Sequence, residues 1–343
     1  MTEIAVVILN WNTRNQLETF LPNIITYSES ENTEVIVADN GSSDDSVDFL
    51  KKHYPRLRLI EFDQNHGFTG GYNKALSQIE ARYYVLLNSD VEVTPGWLEP
   101  MKKCLDEDDR VAACMPRMRA YHDKTSFEYA GAAGGFIDRF GYPFCRGRIL
   151  DTLEKDQGQY DQASEVFWAT GACMFVRAEL FHKLEGFDDD FFAHMEEIDL
   201  CWRMKNRGYS IRYVPESKVY HVGGGTLPND NPFKLYLNYR NNLYLLYKNL
   251  PGKKLFPVLF MRLGLDILSS FIFLARGKTA GFLAVFKAHR HFFQSRPKLK
   301  SKRKAARQYN KEYPEGVFKG SILVSYFLKR RKTFARLPFQ PRR

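Results

Sequence analysis

The chain has 343 residues, enough for one large domain or two smaller ones, and its 44% hydrophobic and 26% charged residues exclude a wholly disordered protein. The formal charge of +10 comes from the end of the chain, because residues 298–343 contain 15 Lys and Arg but 2 acidic residues. Five widely spaced cysteines without a C-x-x-C pair argue against a disulfide framework and against a zinc site.

The first third alternates short apolar runs with helical patterns, and its first run lacks the basic region and cleavage site of a signal peptide. This alternation predicts a mostly parallel sheet with helices on both faces, in a protein of the reducing cytoplasm. Because ligands bind beyond the carboxyl ends of strands in such sheets, the polar segments after the strands form the candidate site. The predicted strands are Ile4–Leu9, Glu34–Ala38, Leu57–Phe62 and Tyr83–Leu87, and the predicted helices are Gln16–Tyr27, Asp44–His53 and Gly70–Ile79.

The middle of the chain, about residues 111–225, is less regular and rich in glycine and aromatic residues. It contains predicted helices at Ala178–Leu184 and Glu197–Asn206 and a predicted strand at Tyr209–Val214. Glycines and prolines cluster between residues 225 and 233, and long helical patterns follow. A domain boundary is therefore expected there.

The first two predicted strands are followed by polar segments, Asn10–Asn12 and Asp39–Asp44. A carboxylate at a strand end, followed by Gly, Ser and a helix start, suits hydrogen bonding to a base or a ribose. The alternative is that Asp39 and Ser43 only shape a turn and cap the helix. These two segments alone leave both interpretations open.

The third polar segment, Asn65–Asn73, brings Gly67, Gly70 and Gly71 to the start of a helical pattern. Glycine permits close approach of the backbone to a ligand, and a helix N-terminus favours anionic groups. The spacing is not the G-x-G-x-x-G of a dinucleotide site. A plain turn remains an alternative, but two adjacent glycines in a helix cost stability, which favours a functional reason for them.

The fourth segment, Asn88-Ser89-Asp90, ends an apolar strand in an acidic D-x-D-like triplet. Oxygen ligands at such a position hold a hard cation, Mg²⁺ or Mn²⁺, which bridges a diphosphate. One Asp at a strand end is weak evidence by itself. The order and spacing of these segments together indicate a site for a nucleoside diphosphate.

These segments resemble glycosyltransferase family 2, and most closely its rhamnosyltransferase-like branch. The resemblance continues through Gly171–Arg177, Gly186–Phe192, Glu196–Arg203 and His221, and so covers about the first two-thirds of the chain. It implies a GT-A fold of the α/β class, Rossmann-like with a mostly parallel sheet flanked by helices. Residues 1–226 would form the catalytic domain, with a donor half at about 1–110 and an acceptor half at about 111–226, followed by a helical extension at 227–297 and a basic tail at 298–343.

The resemblance also implies roles for individual residues. Asp39 would bind the uracil or thymine of a nucleotide-sugar donor, and Asn88 would contact the ribose. Asp90 would hold a divalent metal ion, Mn²⁺ or Mg²⁺, and His221 would complete the metal shell, although an ordinary strand-end histidine is the alternative. The remaining donor-binding residues would be Asn10, Asn12, Asp44, Gly67, Gly71 and Asn73.

Glu196 and Glu197 match the Glu-Asp pair of the family, whose second member removes the proton from the acceptor hydroxyl. This chain has Glu where Asp is usual, and the alternative is that Glu196, Glu197 and Asp199 only complement a helix dipole. As general base, Glu197 would activate the acceptor for attack opposite the leaving diphosphate, which inverts the anomeric configuration. Asp199 and Arg203, four residues apart, are expected to pair on the helix surface.

The C-terminal third of the chain has features of a segment that associates with a membrane surface. Leu255–Ala275 is mainly apolar, but Arg262 and Asp266 interrupt it at roughly 2.5–3.5 kcal/mol each in a membrane centre. This pattern favours a helix in the interface, or one packed on the catalytic domain, over a spanning helix, and a buried structural helix is the alternative. Basic clusters at 298–304 and 329–332 suit anionic lipid head groups, whereas no module for nucleic acid is recognised, so no nucleic acid partner is expected.

The chain is thus interpreted as an inverting, metal-dependent glycosyltransferase that moves a dTDP- or UDP-linked sugar, with rhamnose a candidate, to a glycan or lipid-linked glycan in surface polysaccharide synthesis. It would act in the cytoplasm, peripherally on the inner face of the cell membrane. One alternative is a nucleotidyltransferase that forms sugar nucleotides, which residues 9–12 disfavour because they contain neither Gly nor Lys. The other is a membrane-surface binding protein that has lost catalysis, which Glu197 keeps open.

Overall fold

The computed structural model describes residues 2–128, 131–223 and 231–342. A nine-stranded sheet forms the centre of the fold, and a five-stranded sheet is formed by later segments of the chain. The strands are β1 (Thr2–Asn10), β2 (Thr33–Asp39), β3 (Arg58–Glu61), β4 (Ala81–Leu87), β5 (Val91–Val93), β6 (Val111–Ala120), β7 (Gly135–Asp138), β8 (Pro143–Cys145), β9 (Arg148–Ile149), β10 (Thr152–Leu153), β11 (Ser164–Val166), β12 (Cys173–Arg177), β13 (Ser210–His221) and β14 (Val317–Phe318).

Helices cover the large sheet and dominate the chain after residue 231. They are α1 (Arg14–Ser28), α2 (Ser46–His53), α3 (Gly67–Leu76), α4 (Leu98–Glu107), α5 (Ala178–Lys183), α6 (Glu196–Lys205), α7 (Pro232–Asn249), α8 (Gly252–Ala275) and α9 (Thr279–Ala306). Short 3₁₀ or π segments occur at Asp189–Phe191, Val324–Leu328 and Phe334–Arg336.

The first half of the large sheet is parallel, as predicted. β3, β2, β1 and β4 lie side by side in that order, with Asn10 opposite Asp39. Alternate residues of β1 enter two separate cores, since Val7 packs with residues of α3 whereas Val6 packs with residues of α1. Helices therefore cover both faces, and the polar segments after the strands meet at one edge of the sheet.

The second half of the large sheet is mixed, so the prediction of a mostly parallel sheet holds for the first half alone. β12 runs antiparallel between β4 and β6, and β13 pairs parallel with β6 but antiparallel with β5 and β11. The chain reaches β12 from β6 without a crossover helix, which an antiparallel neighbour does not require. β13 ends at His221, opposite Val91 of β5 and thus next to Asp90.

The helices that follow the first three strands begin at other residues than predicted, and α1 begins at Arg14 rather than Gln16. α3 begins at Gly67 rather than Gly70, because the side chain of Asn65 accepts the Gly67 N–H at 2.7 Å. α2 begins at Ser46 rather than Asp44, because the Asp44 carboxylate accepts the Ser46 N–H at 3.1 Å and stands before the helix.

The small sheet has the order β10-β9-β8-β7-β14, with β14 added parallel to β7 at the edge. Phe334 packs on Phe136 with ring centroids 5.2 Å apart, so the end of the chain lies against this sheet. Helix α9 is continuous across residue 297, where the charge composition changes. The boundary expected at residues 226 and 227 lies outside the described residues.

Helix α8 contains the apolar stretch seen in the sequence and is the one described helix long and apolar enough to cross a membrane. Its polar side is buried in the fold. Arg262 and Asp266 form an ion pair at 3.0 Å, and the Arg262 guanidinium lies 3.9 Å from the centre of the Tyr142 ring. His289 of α9 contacts Asp266 at 3.0 Å. The polar side of α8 is therefore held by the turn that contains Tyr142 and by helix α9.

Candidate active site

Asn10 and Asp39, which end two neighbouring strands, are joined by their side chains. Asn10 Nδ2 donates to Asp39 Oδ1 at 2.7 Å, and the Ser42 N–H donates to Asp39 Oδ2 at 2.9 Å. Both side chains are buried. The Asp39 carboxylate is therefore held in one orientation, which is what a group that recognises a planar base requires.

A chain of hydrogen bonds leads from this pair to the Asn88-Ser89-Asp90 triplet. Thr13 Oγ1 donates to Asn10 Oδ1 at 2.5 Å and lies 2.9 Å from Ser89 Oγ. Three hydrogen bonds thus separate Asp39 from Ser89, the neighbour of Asp90. Asp39 and the triplet belong to one polar edge of the sheet.

Asn12 and Asp44 hold the loop beside this edge. Asn12 adopts a left-handed conformation with φ of 53°, and its Oδ1 accepts the Ser43 N–H at 2.7 Å. Asp44 accepts the Arg14 N–H at 3.2 Å in addition to that of Ser46. Both side chains therefore have a structural role, whatever contacts they make with a donor.

The two glycines predicted to bind the donor are packed against protein atoms. A Cβ on Gly67 would lie 2.5 Å from the ring of Phe192, whose carbonyl oxygen accepts the Phe68 N–H at 2.7 Å. A Cβ on Gly71 would lie 3.0 Å from Asn40 Nδ2. In this structure close packing accounts for both glycines. The contact between Gly67 and Phe192 joins the predicted donor half to the predicted acceptor half.

Asn73 faces the predicted acceptor half and not the other predicted donor residues. Its amide nitrogen donates to the Phe187 carbonyl at 2.8 Å and to Asp189 Oδ1 at 2.7 Å, and its oxygen accepts the Phe187 N–H at 2.9 Å. Because both amide hydrogens are engaged, Asn73 links α3 to the loop before α6.

Asp90, which lies between β4 and β5, meets His221, the last residue of β13. His221 Nε2 lies 3.0 Å from Asp90 Oδ1 and 3.5 Å from Asn88 Nδ2, so the predicted ribose and metal residues are together. Both Asp90 and His221 are buried. Burial opposes the charged imidazole, but the neighbouring Asp90 and Glu128 carboxylates outweigh it and raise the pKa of His221 to about 10.

Glu128 is a residue of this site that the sequence did not reveal. It is buried, and its Oε1 lies 3.4 Å from His221 Nδ1, the ring nitrogen opposite Asp90. Histidines that bind metals commonly direct their second ring nitrogen to a carboxylate, which fixes the ring orientation. No local pattern marks Glu128, which lies in an irregular segment and reaches His221 only through tertiary structure.

The residues present fit a divalent cation, although no group of three or more His, Cys, Asp and Glu side chains suited to a metal occurs among the described residues. Adjacent ligands of an octahedral ion with bonds of about 2.1 Å are about 3 Å apart, which matches the 3.0 Å between Asp90 Oδ1 and His221 Nε2. Mg²⁺ sites commonly use one or two protein ligands together with substrate phosphates and water. A cation at Nε2 would replace the proton there while the Nδ1–H remains directed to Glu128.

Glu196 and Glu197 begin α6, and each has a buried Oε2 atom without a hydrogen-bond partner among the described residues. Burial, with the charge of Glu197, raises the pKa of Glu196 well above its usual value. Burial also raises the pKa of Glu197, to about 7, although backbone N–H groups at the helix start lower it in part. A carboxylate with this pKa and an unengaged oxygen can accept a proton from a hydroxyl, which is the chemistry that a general base supplies.

The loop before α6 is strained and is held by α7. Phe192, His194 and Met195 have φ of 66°, 70° and 73°, and this left-handed conformation costs free energy for residues other than Gly. Asn241 of α7 is buried, and its amide lies within 2.7–2.9 Å of three carbonyl oxygens of this loop. Arg240 donates to the Phe191 carbonyl at 2.9 Å. The position of Glu197 therefore depends on α7.

The ion pair expected on the surface of α6 is inside the protein, which corrects that prediction. Arg203 Nε donates to Asp199 Oδ2 at 2.8 Å, but Asp199 is fully buried. Lys248 Nζ lies 2.9 Å from Asp199 and also pairs with Asp188. Burial disfavours the Asp199 charge, but Lys248 and Arg203 outweigh it and lower the pKa of Asp199.

The basic cluster at 298–304 contributes to the same region. Lys302 of α9 pairs with Asp188 and lies 2.7 Å from Asp190, with which Lys298 also pairs. Lys298 and Lys302, which were predicted to belong to a basic tail, thus neutralise the acidic loop before α6.

Comparison with known proteins gives the following matches. Residues 5–184 match the model of glycosyl transferase family 2. The chain is 27% identical over 240 residues to the N-acetylglucosaminyl-diphospho-decaprenol L-rhamnosyltransferase of Mycobacterium tuberculosis, covering 64% of this chain and 76% of that protein. It is 25% identical over 241 residues to the dTDP-rhamnosyl transferase RfbF of Shigella flexneri, covering 66% of this chain and 75% of that protein.

Among solved structures, the fold is similar to that of GalNAc-T7 determined with UDP, GalNAc and Mn²⁺. The TM-score is 0.59 at 12% identity, over 91% of this chain and 55% of that one. This likeness establishes the GT-A fold of the described chain.

Proposed function

Because the chain belongs to glycosyl transferase family 2, we propose that it is an inverting, metal-dependent glycosyltransferase that moves a dTDP- or UDP-linked sugar to a hydroxyl of a glycan or lipid-linked glycan. The observation that carries this proposal is the polar edge of the large sheet. There Asp39 is fixed by Asn10, and Asp90 meets His221 at 3.0 Å. A Cβ on Gly171 would lie 3.9 Å from Glu197 Cβ, and the neighbouring Ala172 carbonyl accepts the Asn88 N–H at 3.0 Å, so Glu197 with its unengaged oxygen stands near this edge.

In the proposed reaction, Glu197 accepts the proton of the acceptor hydroxyl as the hydroxyl oxygen attacks the anomeric carbon opposite the leaving group. The bond from that carbon to the diphosphate oxygen breaks as the glycosidic bond forms, so the configuration inverts. A divalent cation on Asp90 and His221 would supply Lewis-acid neutralisation of the diphosphate charge. Asp39 accepts the imide N–H of the thymine or uracil ring.

The donor and acceptor are proposed from the relatives. The name of one relative gives a dTDP-linked rhamnosyl group as the donor, and that of another gives a decaprenol-linked diphosphate acceptor. We therefore expect dTDP-rhamnose and polyprenyl-diphosphate-linked sugars to be the substrates of this chain.

Product analysis by mass spectrometry tests the proposal. The full chain is incubated with Mn²⁺, a panel of dTDP-, UDP- and GDP-sugars, and polyprenyl-diphosphate-linked N-acetylglucosamine. We expect addition of one sugar from a dTDP or UDP donor, and its loss with EDTA and in Asp90→Ala. Synthesis of a sugar nucleotide from sugar phosphate and dTTP or UTP would identify a nucleotidyltransferase, and donor binding without turnover would identify a binding protein.

We also propose that α8 lies on the inner face of the cell membrane. Its outward side exposes large apolar residues at helical spacing, among them Phe256 at 79% and Phe260 at 68%. Its other side is held by the buried Arg262–Asp266 pair, which favours a helix lying in the interface over one that leaves the fold to span the bilayer. Lys253 and Lys254 at its start add attraction to anionic lipid.

Vesicle binding tests this placement. Phe256→Ser/Phe260→Ser should weaken binding at least tenfold, because burial of each ring contributes about 1.5–3 kcal/mol. Tyr27→Ser/Leu153→Ser, which alters two residues exposed elsewhere, is the matched control. Equal binding by the two double variants would exclude α8 as the contact.

A further inference from the structure

A cleft at the edge of the small sheet has no counterpart in the proposed reaction. Its volume is about 570 Å³, and none of its lining residues belongs to the active site described above. Val317, Phe318 and Phe339 supply apolar surface, with the two phenylalanine rings 5.6 Å apart. A partly apolar concave surface of this size suits a ligand with an apolar portion.

The same cleft is lined by four basic side chains, Arg139, Lys319, Lys329 and Arg331. Within the described part of the chain, none of the four forms an ion pair with a carboxylate, although many other Lys and Arg side chains do. Four positive charges without a carboxylate partner around one cleft attract an anion. The chemistry required is therefore an anionic group joined to an apolar one.

Buried Asp138 ties together the two turns that carry part of this charge. Its Oδ1 accepts the Phe140 and Tyr142 N–H groups, each at 2.9 Å, and its Oδ2 accepts the Ile322 N–H at 2.8 Å. Because one buried carboxylate joins the turn of Arg139 to the turn after Lys319, the cleft is organised by the fold itself.

Exposed apolar residues adjoin the basic side chains. Phe327 and Leu328 are 64% and 77% exposed and directly precede Lys329. Exposed apolar side chains followed by a basic run are typical of segments that contact a lipid surface. A membrane lipid, which is anionic at one end and apolar at the other, matches the cleft and these neighbours together.

We propose that this cleft binds an anionic phospholipid, with the phosphate among the four basic side chains and an acyl chain along Val317, Phe318 and Phe339. Arg and Lys are the usual donors to phosphate oxygens. The inference rests on the proposed membrane association and deepens it, because it adds a specific lipid site to the non-specific apolar contact of α8.

Two double variants within one basic run test the site. Lys329→Gln/Arg331→Gln removes two charges that line the cleft, and Arg330→Gln/Lys332→Gln removes two neighbouring charges that do not. Binding is measured by cosedimentation with phosphatidylcholine vesicles with and without phosphatidylglycerol. It is also measured calorimetrically with monomeric dihexanoyl phosphatidylglycerol and with inorganic phosphate.

We expect the first variant to lose at least about tenfold in affinity for phosphatidylglycerol, because it removes two side chains that donate to the phosphate, and the second, whose side chains do not line the cleft, less than about threefold. Equal losses would mean diffuse attraction to charge and would overturn the proposal. Inorganic phosphate bound as tightly as the short-chain lipid would overturn the lipid assignment. The short-chain lipid needs no membrane, so this arm still tests the cleft if α8 fails to bind vesicles.

Discussion

His221 Nε2 lies 3.0 Å from Asp90 Oδ1, although the two residues come from distant parts of the chain. The pairing of β13 with β5 brings them together, since His221 stands opposite Val91. On its other side the imidazole faces Glu128 at 3.4 Å. Glu128, at Nδ1, therefore fixes the orientation of the imidazole ring, and Nε2 is directed toward Asp90 and any cation that Asp90 binds.

Glu128 is therefore expected to control the affinity for the metal without binding it. Glu128→Ala should lower Mn²⁺ affinity by about 10–100-fold, as is typical when a carboxylate behind a metal-binding histidine is removed, and Glu128→Gln should lose less because the amide oxygen can still accept the Nδ1–H. Titration of Mn²⁺ by electron paramagnetic resonance, in the presence of UDP, measures this directly. Asp90→Ala is the reference for loss of a ligand, and wild-type affinity in Glu128→Ala would contradict the assignment.

Glu197 should determine the pH dependence of transfer. Because burial raises its pKa to about 7, the ionised base is lost as the pH falls below that value, and kcat/KM should fall about tenfold for each further pH unit. Glu197→Gln should bind the donor normally, by calorimetry, but transfer no sugar. Glu197→Asp restores the residue usual in the family and should retain a measurable rate, whereas normal transfer by Glu197→Gln would remove Glu197 from the reaction.

The sequence predicted what depends on local pattern. Apolar runs followed by polar residues located Asp39 and Asp90 at strand ends, and the parallel pairing of β1 with β2 and β4 brings those ends to one edge. It could not predict partners that tertiary structure alone supplies. No sequence motif connects Glu128 with His221. Asp199 can be buried as a charged group because Lys248, on a later helix, neutralises it.

The role of a glycine such as Gly67 could not be predicted from the sequence either. A glycine at a helix start is consistent with phosphate binding, with close packing, or with a positive φ, and composition does not distinguish these causes. At Gly67 the contact is with Phe192, far along the chain, so only the folded structure reveals it.

Lys248 should matter more to stability than any exposed lysine of the same network. Lys248→Met leaves the buried Asp199 and Asp188 short of a partner, which is expected to cost about 3–5 kcal/mol. Lys298→Met removes a pair whose lysine is 66% exposed and should cost less than about 1 kcal/mol. Urea unfolding followed by circular dichroism compares the two, and a loss in Lys248→Met as small as that expected for Lys298→Met would show that the buried network is not stabilising.

The same comparison has a defined pH dependence. The pKa of Asp199 is lowered in the fold, since Lys248 and Arg203 outweigh its burial, so its ion pairs stabilise the fold above the ordinary carboxyl pKa and lose that effect as the pH falls. The difference between Lys248→Met and the wild type should therefore shrink on acidification. A difference that grows toward low pH would contradict this account.

Gly67 offers a test of the connection between the predicted donor and acceptor halves. Gly67 and Gly96 have nearly the same positive φ, +73° and +71°, but an added Cβ meets Phe192 at 2.5 Å in the first case and nothing within 4 Å in the second. Gly96→Ala should cost only the left-handed conformation, about 1–2 kcal/mol, whereas Gly67→Ala should cost roughly 1–3 kcal/mol more from overpacking.

Displacement of Phe192 should also affect the reaction, because the strained loop that begins there leads into α6 and Glu197. We expect kcat to fall at least tenfold in Gly67→Ala and to stay near the wild-type value in Gly96→Ala, since a misplacement of about 1 Å can cost about 100-fold in rate. Urea unfolding and initial rates of sugar transfer, measured on the same preparations, separate the two effects. If both variants lose stability and rate equally, backbone strain accounts for everything, and the contact between Gly67 and Phe192 does not position the base.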